Sequence, residues 1–233
     1  MTLRLAAIFA AAGLALSAPA TAATPGPWES LVQVKSKRAD AVYLLPGADF
    51  HPYTKVMLDP TEVAFKKGWQ REYNSSTRGL GTRITDEDLI TGAAEVRQGF
   101  QRIFAQTFSE AGYEVVGQPG PDVLRIRTAV VNVAVSAPDL QSAGRSSVFS
   151  VDAGEATLIV EARDSTTGAL LGGAADRRAI GDTSGGFSAM RRTSVSNKAD
   201  FEIMFKRWSK GAVNGLAALK ASSPGAAAAA TGQ

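Results

Sequence analysis

Residues 156–179 read ATLIVEARDSTTGALLGGAADRRA, and this stretch decides the fold class. Positions 156, 158, 160 and 162 are all small or apolar, and they alternate with more polar positions, as in a half-buried strand. The DSTTG segment at 164–168 is typical of a tight turn, and a second run of small and apolar residues follows it. The stretch therefore predicts an antiparallel β-hairpin.

Further strands are expected on the N-terminal side of this hairpin. Runs of apolar and β-branched residues, separated by Pro and Gly, predict strands at 41–45, 55–59, 62–65, 113–116 and 123–135. The run at 62–65 is interpreted as a continuation of 55–59 beyond Pro60.

The strand at 123–135 carries a change of face. Leu124 and Ile126 share one side of it, whereas the later valines 131, 133 and 135 fall on the other. Such a switch indicates an extra residue in the ladder, and we expect a bulge near Thr128 and Ala129.

Two amphipathic helices complete the pattern. Thr85 with Asp88 three residues later forms a capping-box sequence, and Gly112 is a natural stop. Apolar residues recur at spacings of three and four between them. A last helix is expected from about Lys198, capped by Ser196 or Asn197, and Phe201 and Trp208 are interpreted as core residues on its apolar stripe, with Met204, Phe205, Ala212, Leu216 and Leu219.

These elements predict an α+β domain over residues 41–220, a mainly antiparallel sheet with two amphipathic helices packed on one face. Residues 23–40 are expected to be a leader segment that Trp28 and Leu31 pin to the domain. Residues 67–84 are expected to be an exposed loop, 137–153 a loop, 181–197 a flexible basic segment, and 221–233 a disordered tail.

The N-terminus predicts export. Arg4 precedes an uncharged apolar run of about a dozen residues, too short to span a bilayer, and Ala20 and Ala22 give the pattern that signal peptidase cleaves. We therefore expect residues 1–22 to be a signal peptide, and the mature protein to be periplasmic or secreted with no integral membrane segment.

Composition excludes several kinds of chemistry. The chain of 233 residues has no cysteine, which rules out disulfides, thiolate catalysis, cysteine-ligated metals and a lipid-bearing cysteine. The net charge is +3, and loss of Arg4 with the signal peptide leaves 24 cations against 22 anions. That balance, without a dense basic stripe, predicts no nucleic-acid partner.

Each candidate catalytic or metal-binding group has a simpler structural interpretation. His51, the single histidine, lies in a turn-like stretch, and one imidazole cannot build a multi-histidine metal site. The acids at 86–88 are explained by helix capping. The acids Glu155 and Glu161 suggest a solvated strand face, and the D-x-T-x-G at 164–168 lacks the further acids of a calcium loop.

Glycines and arginines also give no clear site. The pairs Gly172-Gly173 and Gly185-Gly186 lack the lysine and spacing of a phosphate loop, as does the RGLG segment at 78–81. Arg125, Arg127 and Arg163 could form a basic strip for an anionic envelope polymer, although plain surface charge is the preferred interpretation. The sequence therefore predicts no catalytic residue, no metal ligand and no cofactor, and it leaves the binding residues unknown.

Several segments in order resemble the bacterial family known as domain of unknown function 3313. They are YLLPGADF at 43–50, YTKVMLDP at 53–60, GYEVV at 112–116, GPDVLRIR at 120–127, DSTTG at 164–168 and FKRWS at 205–209. The resemblance covers about residues 31–219. It implies an exported envelope protein, in this family often a lipoprotein, with no established activity and no catalytic residues to transfer. The missing cysteine sets this chain apart.

The leading hypothesis is a non-catalytic cell-envelope protein with a binding or assembly role, whose partner is an envelope protein or a glycan. One alternative is a hydrolase that uses carboxylates brought together by the fold. The other is a small-ligand carrier, which requires an apolar cavity between sheet and helices.

Overall fold

The computed structural model describes residues 28–76, 83–135, 148–150, 154–180, 190–192 and 194–223. Within these ranges the chain forms strands and helices in the order β1 (Val32–Val34), β2 (Ala41–Leu44), β3 (Lys55–Leu58), β4 (Glu62–Phe65), α1 (Trp69–Ser76), α2 (Asp86–Glu110), β5 (Glu114–Val115), β6 (Val123–Val135), β7 (Val148–Ser150), β8 (Gly154–Asp164), β9 (Leu170–Ile180), β10 (Met190–Arg192) and α3 (Ser194–Ser222). The expected signal peptide lies outside them.

Eight strands form one mixed sheet in the order β1-β2-β9-β8-β6-β3-β5, with β4 also paired to β6. The β1–β2, β2–β9, β9–β8 and β8–β6 pairs are antiparallel. The β3–β5, β3–β6 and β4–β6 pairs are parallel. The expected α+β class and the 164–168 hairpin are confirmed.

Strands β3 and β4 lie one after the other along the same edge of β6. Residues 55–58 pair with 123–126, and Glu62 to Phe65 pair with Ala129 to Val133. Pro60 separates them because it has no N–H to donate to the ladder. The interpretation of β4 as a continuation of β3 is therefore confirmed.

The core joins both long helices to the sheet. Phe100, Phe104 and Phe108 of α2 pack with Phe205 and Trp208 of α3 and with strand residues in one cluster. The Phe100 and Phe205 rings meet edge to face at 5.4 Å. The core role of Trp208 is confirmed, and Phe201 is partly buried and packs against the cluster. The packing of both helices on a single face stays a prediction.

Helix α2 has the caps that its sequence specifies. Thr85 Oγ1 accepts a hydrogen bond from the Asp88 backbone N–H at 3.2 Å, and Asp88 Oδ2 accepts one from the Thr85 N–H at 2.8 Å. After the C-cap at Ala111, Gly112 adopts a φ of 88°, which favours glycine. Capping explains the acids at 86–88, as expected.

The bulge in β6 was placed too early. The β6–β8 register shifts between Val131 and Ala134, and Asn132 there has a φ of 53°. The core face therefore runs through Leu124, Ile126 and Val130 and resumes at Val133. Asparagine tolerates this left-handed conformation better than most residues, which places the bulge at Asn132.

Other expectations for loops and ends were also wrong. The 67–84 segment contains α1, whose Trp69 stacks on Phe65 at 5.1 Å. The leader contains β1, although Leu31 is buried as expected. Strands β7 and β10 pair within the expected loop and the expected flexible segment.

The last helix is longer than its apolar stripe indicated. It begins at Ser194 and continues to Ser222, so residues 221–222 are helical and not part of a disordered tail. Ser223 is buried, and its Oγ accepts a hydrogen bond from the Phe50 N–H at 2.9 Å. Residues 224–233 of the expected tail lie outside the described ranges.

Candidate functional site

A cavity of about 600 Å³ separates α3 from the sheet. Its sheet side is made by inward side chains of β2, β8 and β9, and Phe108 of α2 also contributes. Most of these residues are apolar, among them Val42, Leu44, Leu158, Val160 and Ala162. We refer to this space as the cavity. The small-ligand carrier, one of the alternatives from the sequence, requires an apolar cavity between sheet and helices.

Small residues of α3 leave the cavity open on the helix side. Gly211, Ala212 and Gly215 of α3 line it on one side, and Gly172 and Ala174 of β9 line it on the other. A Cβ atom added at Gly211 or Gly215 would meet no heavy atom within 4 Å. On α3 the buried side chains change from the aromatic Phe205 and Trp208 to the aliphatic Val213 and Leu216, and small residues line the cavity beside them.

One acid belongs to the cavity lining. Asp176 of β9 is 6% exposed, and its Oδ2 accepts hydrogen bonds from Trp208 Nε1 at 2.9 Å and from Arg178 Nε at 2.7 Å. The bond to Trp208 ties the sheet to α3 beside the cavity. Because a neutral donor and a cation both hold this carboxylate, Asp176 has a structural role.

Four cations lie at the edge of the cavity. Lys35, Lys37 and Arg38 come from the β1–β2 connection, Arg207 comes from α3, and all four are exposed. No ion pair joins any of them to a carboxylate within the described residues. We call these four residues the rim cations.

The three arginines named as a basic strip lie on the other side of the sheet, among acids. Arg125 Nε donates to Asp59 at 2.9 Å, and an Arg127 N–H donates to Glu62 at 3.4 Å. Arg163 donates to Glu161 at 2.8 Å. We call these three arginines and three acids the outer network. Its formal charges sum to zero, so it is not a basic strip.

Glu161 is the buried centre of the outer network. It is 5% exposed, so the expected solvated face was wrong at this position. Trp28 covers it and donates a hydrogen bond from Nε1 to Glu161 Oε1 at 3.1 Å. The Trp28 ring also lies over Gly173, where an added Cβ would come within 2.6 Å of it. Trp28 therefore pins the leader segment to the domain, as expected, and this contact explains one glycine of the 172–173 pair.

The remaining candidates have structural roles. His51 is exposed in its turn, as expected. Asp164 caps the β8–β9 turn, because its Oδ1 accepts hydrogen bonds from the backbone N–H groups of Thr166 and Thr167 at 3.0 and 2.7 Å. These bonds, with that of Tyr53 to Oδ2, hold the pKa of Asp164 below its usual range. Gly185-Gly186 and the RGLG segment at 78–81 lie outside the described residues.

Sequence reasoning missed both the cavity and its rim. A usable signal was present in α3, where Gly211 and Gly215 interrupt an amphipathic helix. Each helical glycine costs about 1 kcal/mol relative to alanine, so such positions usually have a packing or functional reason. The charges at 35–38 were assigned to a leader segment and were not connected with Arg207, because 169 or more residues separate them in the sequence.

The fold and cavity define an α+β domain with an apolar space between a mixed sheet and a long helix. The chain belongs to the family DUF3313, described as proteins of unknown function, whose sequence profile matches residues 22–210. The turns of α3 that carry Gly211 and Gly215 follow the matched range. A comparison with curated proteins finds no match.

Solved structures of low sequence identity are similar over part of the chain. A PelC dodecamer from Paraburkholderia phytofirmans is 12% identical with a TM-score of 0.31, covering 71% of this chain and 95% of that one. A DUF330 protein from Xanthomonas campestris is 13% identical with a TM-score of 0.34, covering 69% and 82%. A neuraminyllactose-binding hemagglutinin homolog from Helicobacter pylori is 10% identical with a TM-score of 0.37, covering 72% and 84%.

The described residues contain neither a metal-binding cluster nor a membrane-spanning helix. No group of three histidine, cysteine, aspartate or glutamate residues there could hold a metal ion. Among the same residues, no helix is long and apolar enough to cross a membrane.

Proposed function

We propose that this protein is an exported, non-catalytic carrier that encloses an apolar small molecule in the cavity between α3 and the sheet. The cavity carries this proposal, because its volume of about 600 Å³ lies within the range of roughly 300–1,000 Å³ that ligand sites occupy. An apolar lining with few polar groups is also typical of such sites.

The packing around the cavity supports a ligand-binding role. Protein interiors are normally close-packed, and atoms that line an unfilled space lose contacts on one side. Elsewhere this core is filled by aromatic residues, including Phe100, Phe104 and Phe205. The glycine and alanine residues at the cavity therefore leave neighbouring side chains without packing contacts. An apolar ligand would restore these contacts, and each methylene that it buries would contribute about 0.8 kcal/mol to its binding free energy.

The hydrolase alternative needs two acids that converge in a cleft. Asp59 and Glu62 do line a second, polar depression, but Arg127 lies within 3.7 Å of Asp59 and 3.4 Å of Glu62. In the cavity itself Asp176 is the single acid of the lining, and Arg178 and Trp208 hold it. These contacts favour a binding role over acid–base catalysis. A protein or glycan partner, the leading hypothesis from the sequence, stays a prediction.

The test fills the cavity from the helix side. In Gly211→Leu/Gly215→Leu, both side chains point into space where an added Cβ meets no atom. We expect the wild type to bind the neutral fluorescent probe N-phenyl-1-naphthylamine and the variant to lose at least tenfold in affinity. Its stability to urea should stay equal or rise, because leucine favours a helix more than glycine does.

Asn214→Leu/Ala217→Leu is the matched control. Both positions are exposed on α3 and outside the cavity lining, so probe affinity should not change. Equal probe binding by the cavity-filled variant and the wild type would overturn the proposal. The proposal would also be overturned if the wild type and the control sedimented as dimers and the cavity-filled variant as a monomer, because a second copy of the chain would then occupy the cavity.

A further inference from the structure

The rim cations concentrate positive charge at the entrance to an apolar space. Lys35, Lys37, Arg38 and Arg207 all line the cavity edge, and the lining holds one acid, Asp176. Asp176 is already held by Arg178 and Trp208. Like charges brought close together repel, and an anion placed among them relieves that repulsion.

The arginines of the outer network, unlike the rim cations, are paired with carboxylates. Arg125, Arg127 and Arg163 of the outer network each have a carboxylate within 3.7 Å or less. The rim cations have no such partner within the described part of the chain. The cavity edge is therefore positive, whereas the outer network is neutral.

On the basis of the proposed carrier function, we infer that the ligand is an amphiphile with one anionic head group and an apolar chain. The chain enters the cavity beside Gly211 and Gly215, and the head group lies among the rim cations. A carboxylate or a phosphate fits this chemistry, because the guanidinium groups of Arg38 and Arg207 can each bind such a group through two N–H donors.

A matched set of ligands tests the inference. Dodecanoate, dodecyl phosphate, 1-dodecanol and dodecyltrimethylammonium share one chain and differ in head group, and calorimetric titration below the micelle concentration measures their affinities. We expect at least one anion to bind roughly tenfold more tightly than the cation at low salt, with 1-dodecanol between them. The better of the two anions identifies the head group. The difference should shrink at 0.5 M salt, since the rim cations are exposed.

Charge reversal at the rim gives the second part of the test. Lys37→Glu/Arg38→Glu should abolish the preference for the anion and leave the affinity for 1-dodecanol within about twofold of the wild type. Lys206→Glu/Lys210→Glu is the control, because it makes the same change in net charge at exposed α3 positions outside the cavity lining. The control should keep the preference.

The outcomes separate this inference from the proposed function. Equal affinities for all four ligands, each lost in Gly211→Leu/Gly215→Leu, would overturn the anionic head group and leave the carrier standing. No binding of any ligand would overturn both. If the control lost the preference for the anion to the same extent as the rim variant, the role of the rim cations would be overturned, because the net charge of the protein alone would then explain the preference.

Discussion

Glycine and arginine occur on both sides of the sheet, but their surroundings differ between the outer side and the side toward α3. On the outer face, Gly173 lies directly under the Trp28 ring, and arginines pair with Asp59, Glu62 and Glu161. On the face toward α3, Gly211 and Gly215 border open space, and the rim cations have no carboxylate partner among the described residues. Glycine and arginine therefore accompany tight packing on one face and an open, positively charged cavity on the other.

The role of a charged or small residue depends on the groups that surround it. A buried, paired charge contributes to structure, and removing one partner is costly. Exposed cations without partners contribute little to stability and are free to meet a ligand. We therefore expect substitutions on the outer face to change the free energy of unfolding, and substitutions at the cavity to change binding.

The largest effect on stability is expected from Glu161→Ala. This change leaves Arg127 and Arg163 without a shared buried partner and removes the acceptor of Trp28 Nε1. Both arginines keep contact with solvent, so we expect a loss of about 2 kcal/mol, below the roughly 3–5 kcal/mol of fully buried pairs. Urea denaturation measures it. Glu161→Gln should lose less, and a cavity affinity that fell in parallel would contradict the separation of the two faces.

Glycine-to-alanine substitutions should have opposite signs on the two faces. Gly173→Ala places a Cβ 2.6 Å from the Trp28 ring, so the ring must move, and we expect destabilisation of about 1–2 kcal/mol. Gly211→Ala meets no atom within 4 Å and gains helix propensity, so we expect stabilisation of about 0.5–1 kcal/mol. Thermal and urea unfolding of both variants check the signs, and equal signs would contradict the comparison.

The smallest effect concerns pH. The Arg177 guanidinium, with Lys66, holds the pKa of Glu155 below its usual range. A lowered pKa in the folded state means that this contribution is complete above the unfolded pKa of about 4.3 and is lost as pH falls through the folded value. Glu155→Gln should therefore make the fall in stability between pH 5 and pH 3 shallower. A fall in stability as steep in Glu155→Gln as in the wild type would contradict this assignment.

Much of the fold could be predicted because its signals are local. The Thr85–Asp88 cap, the 164–168 turn and the continuation of β3 past Pro60 depend on residues within a few positions of each other. Errors arose where the local pattern was weak or ambiguous. The polar segment around α1 gave no apolar stripe, and the change of face in β6 was placed at Thr128 although Asn132 is the residue suited to the bulge.

The candidate site could not be predicted in the same way. The cavity is lined by Gly172 and Ala174 of β9 and by Gly211 and Gly215 of α3, which are 37 or more positions away in the sequence. For the arginines at 125, 127 and 163 the sequence left a basic strip open as an alternative to plain surface charge, because two of their acids, at 59 and 62, lie more than 60 positions away. The periodicity of apolar residues along the sequence predicts neither which charges form ion pairs nor where the core is left unfilled.

The α+β class, the hairpin, the helix caps and the absence of cysteine chemistry follow from composition and short-range spacing, so they could be predicted. Which arginines are neutralised, and which cations lie at the rim of the cavity without a carboxylate partner among the described residues, became clear from the three-dimensional fold. Burial and ion pairing depend on which strands become neighbours, and β6 pairs with β3 and β4, which precede it in the sequence, and with β8, which follows it.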